Sequence, residues 1–228
     1  MRASHVLCVV DDLAAGVKAY EDAGFTVEWG DRVDAARNAL IWFEEGPFLE
    51  LIVSGTGPPR PIWWLLSLVA RNGMIRRFQG WERSEAGWCD LALECDGDVK
   101  PVVESVGTAV GKIAGPFSSK RTPPSGRQIT TQTAFPHDPR LPLMMGAYRP
   151  DPRPAQISHL NGATGIASIS IDVPAACRSG WAALLDQDDP WIELVTSSGE
   201  SGVREVSLHG LGSDLDPAAV CGAVITAA

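Results

Sequence analysis

The chain has little positive charge and no long apolar run, and both absences exclude classes of partner. It carries 19 lysines and arginines against 28 aspartates and glutamates, a formal net charge of -9 at pH 7. Nucleic acids and anionic membranes are bound mainly through lysine and arginine, so neither is an expected partner. The longest predominantly apolar stretch, Ile62 to Ala70, has nine residues, whereas a membrane helix needs about 20. With no signal-peptide pattern at the N-terminus, we expect a soluble protein.

Cysteine, histidine and the common nucleotide motifs are also scarce. The five cysteines and four histidines show no CxxC or paired-ligand spacing. An odd, scattered set of cysteines is typical of reduced thiols, and it predicts a cytoplasmic protein rather than a disulfide framework. The chain has no phosphate-binding glycine loop, no dinucleotide fingerprint and no GxSxG motif. These absences argue against nucleotide-dependent chemistry and against acyl transfer at a nucleophile elbow.

The chain is organised around the pattern in residues 1–53. Residues 5–10 alternate as a buried strand, with His5 on one of its faces. An Asp-Asp pair then supplies a helix N-cap, and Gly24 is placed to end that helix. Three further strands are predicted, at residues 25–29, 38–43 and 48–53. Residues 1–53 are therefore predicted to form a β-α-β-β-β unit.

The same pattern returns later in the chain, which predicts four segments. These are a first βαβββ module at 1–53, a linker and lid segment at 54–84, a second module at 85–150, and a partial third module with a tail at 151–228. The lid segment contains a predicted helix over residues 62–78. In the second module the helical stripe is predicted to end at Gly107, and the tail from residue 214 is interpreted as a last helix. The fold class is α+β, with tandem modules joined in a mixed sheet.

Glu50 and His5 carry the chemistry that the sequence suggests. Glu50 interrupts the apolar run Phe-Leu-Glu-Leu-Ile-Val, where an ionised carboxylate is costly to bury without a cation or hydrogen-bond donors. If Glu50 is buried, its partner is a metal, an arginine or a proton. The alternative interpretation is that residues 48–53 form an edge strand and Glu50 faces water. If the two strands are neighbours, His5 points into the same pocket, and an imidazole with a carboxylate supplies two metal ligands. Glu50 is then also the candidate general base.

Several other residues are candidates for the same pocket. Asn38 begins the third strand, where it binds either a ligand or a turn, and Trp42 alternates onto the same face. Trp63 and Trp64 follow a Pro/Gly linker and are placed to form a lid over an aromatic ligand. Core packing is the alternative for all three tryptophans. Cys89 is a candidate thiolate ligand, with inert burial as its alternative.

Four stretches carry a family resemblance: SHVLCVVDDLAAGVKAYEDAGFTVEWG, NALIWFEEGPFLELI, GWCDLALECD and HLNGATGIASISI. They resemble the vicinal oxygen chelate (VOC) superfamily, in particular its glyoxalase-like domain proteins. The resemblance implies tandem modules that curl into a half-barrel around a small-molecule or metal site. It matches His5 to the first-strand ligand and Glu50 to the last-strand carboxylate, and it supports His159, for which a turn or capping role is the alternative. In the second module, Cys89 and Met145 fall at the corresponding places, so the implied ligand set is incomplete.

Together these features favour a glyoxalase-like small-molecule enzyme with metal-assisted lyase, isomerase or dioxygenase chemistry. Its expected metal ligands are His5, Glu50 and His159, and its cofactor is a divalent metal whose identity the sequence leaves open. The first alternative is a metal-free binding protein that sequesters a drug or metabolite in a Trp-lined cleft. The second is a catalytically silent relative that acts in an assembly. The expected partner is a small-molecule substrate or ligand, and a homodimer is left open.

Overall fold

The structure is a computed structural model that describes residues 1–53, 73–122, 126–186, 189–199 and 201–228. The side chain of Asp12 caps the first helix by accepting a hydrogen bond from the backbone N–H of Ala15 at 2.8 Å. Gly24, with φ of +87°, follows the end of that helix. The predicted β-α-β-β-β order is found in the first module. Its elements are β1 (Arg2–Val10), α1 (Leu13–Asp22), β2 (Glu28–Trp29), β3 (Asn38–Ile41) and β4 (Phe48–Val53).

The second module repeats this order after a short helix. The prediction that its helix stops at Gly107 is wrong, because the helix continues to Val110 and Gly111, with φ of +80°, follows it. Residues 73–78 of the predicted helix over 62–78 lie in the short helix, and the rest of that prediction, with Trp63 and Trp64, lies outside the described residues. The elements are α2 (Gly73–Trp81), β5 (Gly87–Glu94), α3 (Lys100–Val110), β6 (Ile113–Arg121), β7 (Ile129–Pro136) and β8 (Leu143–Met145).

The two modules share one curled, eight-stranded sheet with the strand order β2-β3-β4-β1-β5-β8-β7-β6. The first strands of the two modules, β1 and β5, run antiparallel side by side at its centre, and His5 pairs with Ala92. Each of them also pairs in parallel with the last strand of its own module, β4 or β8. The predicted α+β fold with a half-barrel sheet is therefore confirmed.

Alternation along β1 gives the sheet two different faces, called here the core face and the pocket face. Val6, Cys8 and Val10 belong to the main hydrophobic core, together with the buried side of α1. Leu7 and Val9 belong to a smaller cluster on the opposite side, which is the pocket face. Because β1 is a central strand, it is buried on both faces, as an almost continuous apolar run predicts.

The third segment forms a separate four-stranded sheet that joins the main core on the core face of the large sheet. The prediction of a last helix in the tail is wrong. Cys221 and Gly222 both adopt positive φ, which an α-helix does not contain, and the tail instead ends in a strand paired with its neighbour. No helix among the described residues has the length and apolarity needed to cross a membrane. The elements are β9 (Gly165–Pro174), a 3₁₀ turn (Ala175–Cys177), α4 (Arg178–Leu184), β10 (Ile192–Ser197), β11 (Gly202–His209), a second 3₁₀ turn (Pro217–Val220) and β12 (Ile225–Ala227).

Candidate functional site

His5 and Glu50 lie together on the pocket face of the large sheet. His5 in β1 pairs with Phe48, and Glu50, two residues farther along β4, pairs with Leu7. Nε2 of His5 lies 3.0 Å from Oε2 of Glu50, and their side chains are 3% and 15% exposed. The ring of Phe48 stacks on the imidazole with 4.6 Å between the ring centroids. The two residues that the strand pattern selected therefore meet in space, while their chemical roles stay a prediction.

Glu50 is held by partners on both of its carboxylate oxygens. Asn38 donates through Nδ2 to Oε1 at 2.6 Å, and His5 contacts Oε2. Burial by itself raises the pKa of Glu50, but the hydrogen bond and charge of His5, the hydrogen bond of Asn38 and the charge of Arg121 outweigh it. The net effect is a lowered pKa of Glu50. The lowered pKa indicates that Glu50 is an ionised carboxylate in a mostly buried position.

The pair opens into a cavity of about 230 Å³ on the pocket face. Arg121 contributes the one guanidinium among the described lining residues; it donates to the carbonyl of Gly30 at 3.3 Å and lies 5.9 Å from the ring centroid of Tyr148. Within the described ranges Arg121 forms no ion pair with a carboxylate. The cavity thus combines a carboxylate, an imidazole and a guanidinium that forms no ion pair with a described carboxylate. Most of the remaining wall is apolar: Leu7, Leu40, Ile52, Trp81, Phe135, Leu143 and Met145.

The second module contributes no metal ligands at the positions equivalent to His5 and Glu50. His5 pairs with the residue two positions before Glu50, and Ala92 pairs with the residue two positions before Met145. Ala92 is therefore the structural counterpart of His5, and Met145 that of Glu50. Neither side chain has an oxygen or nitrogen atom that could bind a divalent metal. In the part of the chain that the structure describes, no three His, Cys, Asp or Glu side chains are placed to hold a metal ion. These residues do not fit a resident metal with a complete protein ligand set.

Cys89 does not occupy the counterpart position that the repeat suggested. It falls at a register shift between β1 and β5, and its Sγ donates to the carbonyl of Leu7 at 3.4 Å. Burial, together with the charge of Asp90, raises the pKa of the Cys89 thiol well above its usual value. Cys89 lines a different, smaller cavity together with Asp90. This arrangement supports the inert alternative rather than a thiolate in contact with substrate.

His159 is enclosed by backbone partners. Its Nδ1 accepts a hydrogen bond from the backbone N–H of Thr26, and its Nε2 donates to the carbonyl of Trp42, each at 3.0 Å. Its ring packs edge-on against Phe25 and Phe43. Burial lowers the pKa of His159, which favours the neutral ring that these two bonds require. Because both nitrogens are used, we assign His159 a structural role and leave it out of the proposed site.

Trp42 lies beside the pocket wall rather than in contact with Glu50. Its ring centroid is 4.2 Å from that of Phe48, the ring that stacks on His5. Trp42 lines a neighbouring cavity of about 240 Å³. Tyr148 lines both cavities and so contributes to the wall between them. Trp42 is not among the described residues that line the Glu50 cavity, and it contacts that cavity's imidazole only through Phe48; its role in substrate binding stays a prediction.

Sequence reasoning missed three charged or polar residues near the pair: Ser4, Glu94 and Arg121. Ser4 donates to Oε2 of Glu94 at 3.0 Å, and its Oγ lies 3.1 Å from Nδ1 of His5. From strand alternation alone, Ser4 is expected on the face opposite His5. The only sequence signal for a contact was that Ser4 directly precedes the candidate histidine. Glu94 and Arg121 come from the second module, so no local pattern connects them to the first.

The glyoxalase-like domain family model matches residues 4–185, and no curated protein matches the chain. A solved structure of a hypothetical protein from Staphylococcus aureus is 12% identical with a TM-score of 0.69, and the match covers 100% of this chain and 98% of that one. The Mn(II)-bound glyoxalase from Novosphingobium aromaticivorans is 15% identical with a TM-score of 0.53, with 93% and 66% covered. A mutant of 4-hydroxymandelate synthase from Streptomyces coelicolor is 12% identical with a TM-score of 0.50, with 91% and 70% covered.

At these identities the solved structures show a shared fold, and the reaction has to be argued from the residues of the site. The family match is stronger, since it spans most of the chain and includes the strands that carry His5 and Glu50. The matched residues include the curled sheet of paired βαβββ modules described above. The chain therefore belongs to the glyoxalase-like domain family.

Proposed function

We propose that the chain is a small-molecule enzyme that moves a proton on a substrate bearing a carbonyl or carboxylate group. The observation that carries this proposal is the 3.0 Å contact between His5 and Glu50 in a cavity that also holds Arg121. The reaction class is that of an isomerase or a lyase. The cavity, at about 230 Å³, is smaller than the roughly 300–1,000 Å³ of drug-sized sites, so the substrate is a small metabolite.

In this proposal Glu50 is the base and His5 is its acid partner. Glu50 removes a proton from the carbon next to the carbonyl group, and His5 gives the proton on its Nε2 to the product. The proton on Glu50 then passes from Oε2 to Nε2 and restores the pair. Asn38 keeps the carboxylate in one orientation through its bond to Oε1. The two side chains act as one unit, because the proton between Nε2 and Oε2 belongs to the pair.

In this proposal Arg121 stabilises the negative charge of the substrate. Its charge is one of the factors that lower the pKa of Glu50. A substrate carboxylate or a developing enolate oxygen beside Arg121 would offset that charge, so substrate binding is expected to raise the pKa of Glu50. The carboxylate then becomes a stronger base at the moment when a proton is to be removed. The apolar wall strengthens both effects by excluding water.

The metal-assisted form of this hypothesis requires ligands beyond His5 and Glu50. A separation of 3.0 Å between Nε2 and Oε2 matches two adjacent ligands of one ion, since bonds of about 2.1 Å at right angles place their ends about 3 Å apart. Ala92 and Met145 stand where further protein ligands would come from the second module. The steps proposed above are therefore carried by side chains alone.

The test is proton exchange with deuterated solvent. The protein is incubated in D₂O with a panel of small 2-oxo acids and 2-hydroxy ketones, and loss of the proton next to the carbonyl group is followed by ¹H NMR. Wild type is expected to exchange at least one compound, and Glu50→Gln to slow that exchange by at least about 100-fold, in the range of a lost general base. His209→Asn is the matched control, because His209 is exposed at the end of β11 in the other sheet.

Exchange that is equally fast in Glu50→Gln would refute the proposal. Metal content is measured on the same samples, prepared without chelator. Stoichiometric divalent metal that is lost in Glu50→Gln, together with exchange that requires that metal, would replace the proposal by its metal-assisted form.

A metal-free binding protein is the second candidate, and one observation favours it. The cavity wall presents aromatic rings from Trp81, Phe135 and Tyr148, which suit a planar ligand as well as a reacting one. Tryptophan fluorescence quenching by planar metabolites, unchanged in Glu50→Gln and without any exchange, is the result expected for sequestration.

A further inference from the structure

The side chain of Ser4 lies on the pocket side of its strand because of a bulge. The pairing of β1 with β5 shifts register between Ala3 and His5, which makes Ser4 the extra residue. Ala3 and Val6 both belong to the main core on the other face. The bulge therefore turns Ser4 toward His5, and the side chain of Ser4 is buried there with 3% exposure.

The direction of the hydrogen bonds around Ser4 follows from the partners of Glu94. Oε1 of Glu94 accepts from Arg2 at 2.9 Å, and Oε2 accepts from the hydroxyl of Ser4 at 3.0 Å. An ionised carboxylate beside a guanidinium can only accept, so the single hydroxyl proton of Ser4 is committed to Glu94. The oxygen of Ser4 must then accept from Nδ1 of His5, 3.1 Å away. This places a proton on Nδ1 of His5.

A proton on Nδ1 determines what the other ring nitrogen can do. The proton that His5 and Glu50 exchange is then confined to the contact between Nε2 and Oε2 at the cavity. The stacking of Phe48 on the imidazole opposes a ring flip that would exchange the two nitrogens. Ser4 and Glu94 also line the neighbouring cavity, so this support reaches His5 from outside the reaction cavity.

We propose that Ser4 and Glu94 are positioning residues that keep the His5 ring proton on Nδ1 and so reserve Nε2 for Glu50 and the substrate. Without the hydroxyl of Ser4, Nδ1 loses its acceptor, and the tautomer with the proton on Nε2 becomes favoured because that proton meets Oε2 of Glu50. Nε2 then has no lone pair in the neutral ring. The effect on turnover rests on the proposed function, whereas the tautomer of His5 does not.

The test reads the tautomer directly. Protein labelled with ¹⁵N in its histidines is studied by NMR, and the His5 signals are assigned by their loss in His5→Asn. In wild type, Nδ1 of His5 is expected to carry a proton, while a second proton lies in the contact between Nε2 and Oε2 of Glu50. In Ser4→Ala most of the signal of the proton on Nδ1 moves to the tautomer protonated on Nε2, and Ser4→Thr, which restores a hydroxyl, returns it to Nδ1. Ser105→Ala is the matched control, because Ser105 is exposed on α3 and its hydroxyl donates to the carbonyl of Val102 in the same helix.

A second readout separates positioning from mere packing. Ser4→Ala is expected to slow the solvent exchange described above by about 10- to 100-fold, the range typical for residues that orient a functional histidine. Ser4→Thr is expected to recover most of that loss. If Ser4→Ala does not fold, Ser4→Cys keeps the size of the side chain, weakens the acceptor and is expected to move the tautomer in the same direction.

The inference is overturned if Nδ1 of His5 carries no proton in wild type, or if neither Ser4→Ala nor Ser4→Cys removes that proton from Nδ1. A tautomer that changes as expected, in a protein whose wild type exchanges no compound, would uphold the positioning role and count against the proposed function alone.

Discussion

Replacing His5 by alanine is the most direct test of the buried pair. The substitution leaves the ionised carboxylate of Glu50 with no partner on Oε2. It also removes the ring that stacks on Phe48. Because the imidazole is 3% and the carboxylate 15% exposed, water can replace the lost contact only in part, and we expect a clear loss of stability.

The size of the loss follows from two contributions. Removing one partner of a buried charge pair costs about 3–5 kcal/mol. Glu50 keeps its bond from Asn38 and the field of Arg121, so about 2–3 kcal/mol is expected here. The lost aromatic stacking adds about 1 kcal/mol. We therefore expect His5→Ala to lower the free energy of unfolding by about 3–4 kcal/mol at pH 7.

The pH dependence of this loss gives a sharper test than its size. In wild type, folding lowers the pKa of Glu50, so its stabilising contribution is present above the unfolded pKa of about 4.3 and is lost as the pH falls through the folded value. In His5→Ala, burial raises the pKa of Glu50 against weaker opposition, and the carboxylate becomes a cost that disappears when it takes up a proton. The difference between wild type and variant is thus expected to be largest at pH 7 and to shrink toward about pH 4.

Urea unfolding followed by circular dichroism at both pH values measures this difference. The matched control is His209→Ala, because His209 is exposed, and its substitution is expected to change stability by less than about 0.5 kcal/mol. A loss in His5→Ala of the same small size at pH 7, or a loss that does not depend on pH, would show that His5 and Glu50 are not a buried charge pair.

Three other predictions concern the scaffold. Asp90→Asn is expected to cost about 3 kcal/mol in urea unfolding, because Arg77, 2% exposed and 2.5 Å from Asp90, is left as a buried cation without the carboxylate that contacts it. Gly24→Ala is expected to lower the unfolding free energy by about 1–2 kcal/mol, since φ is +87° and a Cβ would lie 2.8 Å from the backbone nitrogen of Asn161. Burial raises the pKa of Cys8 to about 12, so Cys8 is expected to escape thiol labelling in the folded protein at about pH 8 and to react in urea, as measured by peptide mass spectrometry.

The amino-acid sequence by itself determined the order of elements in the first module and the meeting of His5 with Glu50. Alternation along β1 placed His5, Leu7 and Val9 on one face, as found. Asp12 caps the helix that the pattern predicted. These features depend on residues within one or two turns or strands, where side-chain direction follows from the backbone period alone. The pair could be predicted because both of its members belong to one compact βαβββ module.

The tertiary structure decided everything that depends on contacts between modules. The register between β5 and β8 makes Ala92 and Met145 the counterparts of the pair, where the repeat in the sequence had suggested Cys89. A bulge in β1 turns Ser4 toward His5, against the alternation that the sequence implies. The register between β5 and β8 joins Ala92 to Leu143, and the bulge contact joins Ser4 to Glu94, so both depend on residues far apart in the chain. Cross-strand packing selects among such pairings, and no local sequence pattern contains that information. For the same reason His159, whose two partners are both backbone groups of the first module, could be recognised as structural only in the folded chain.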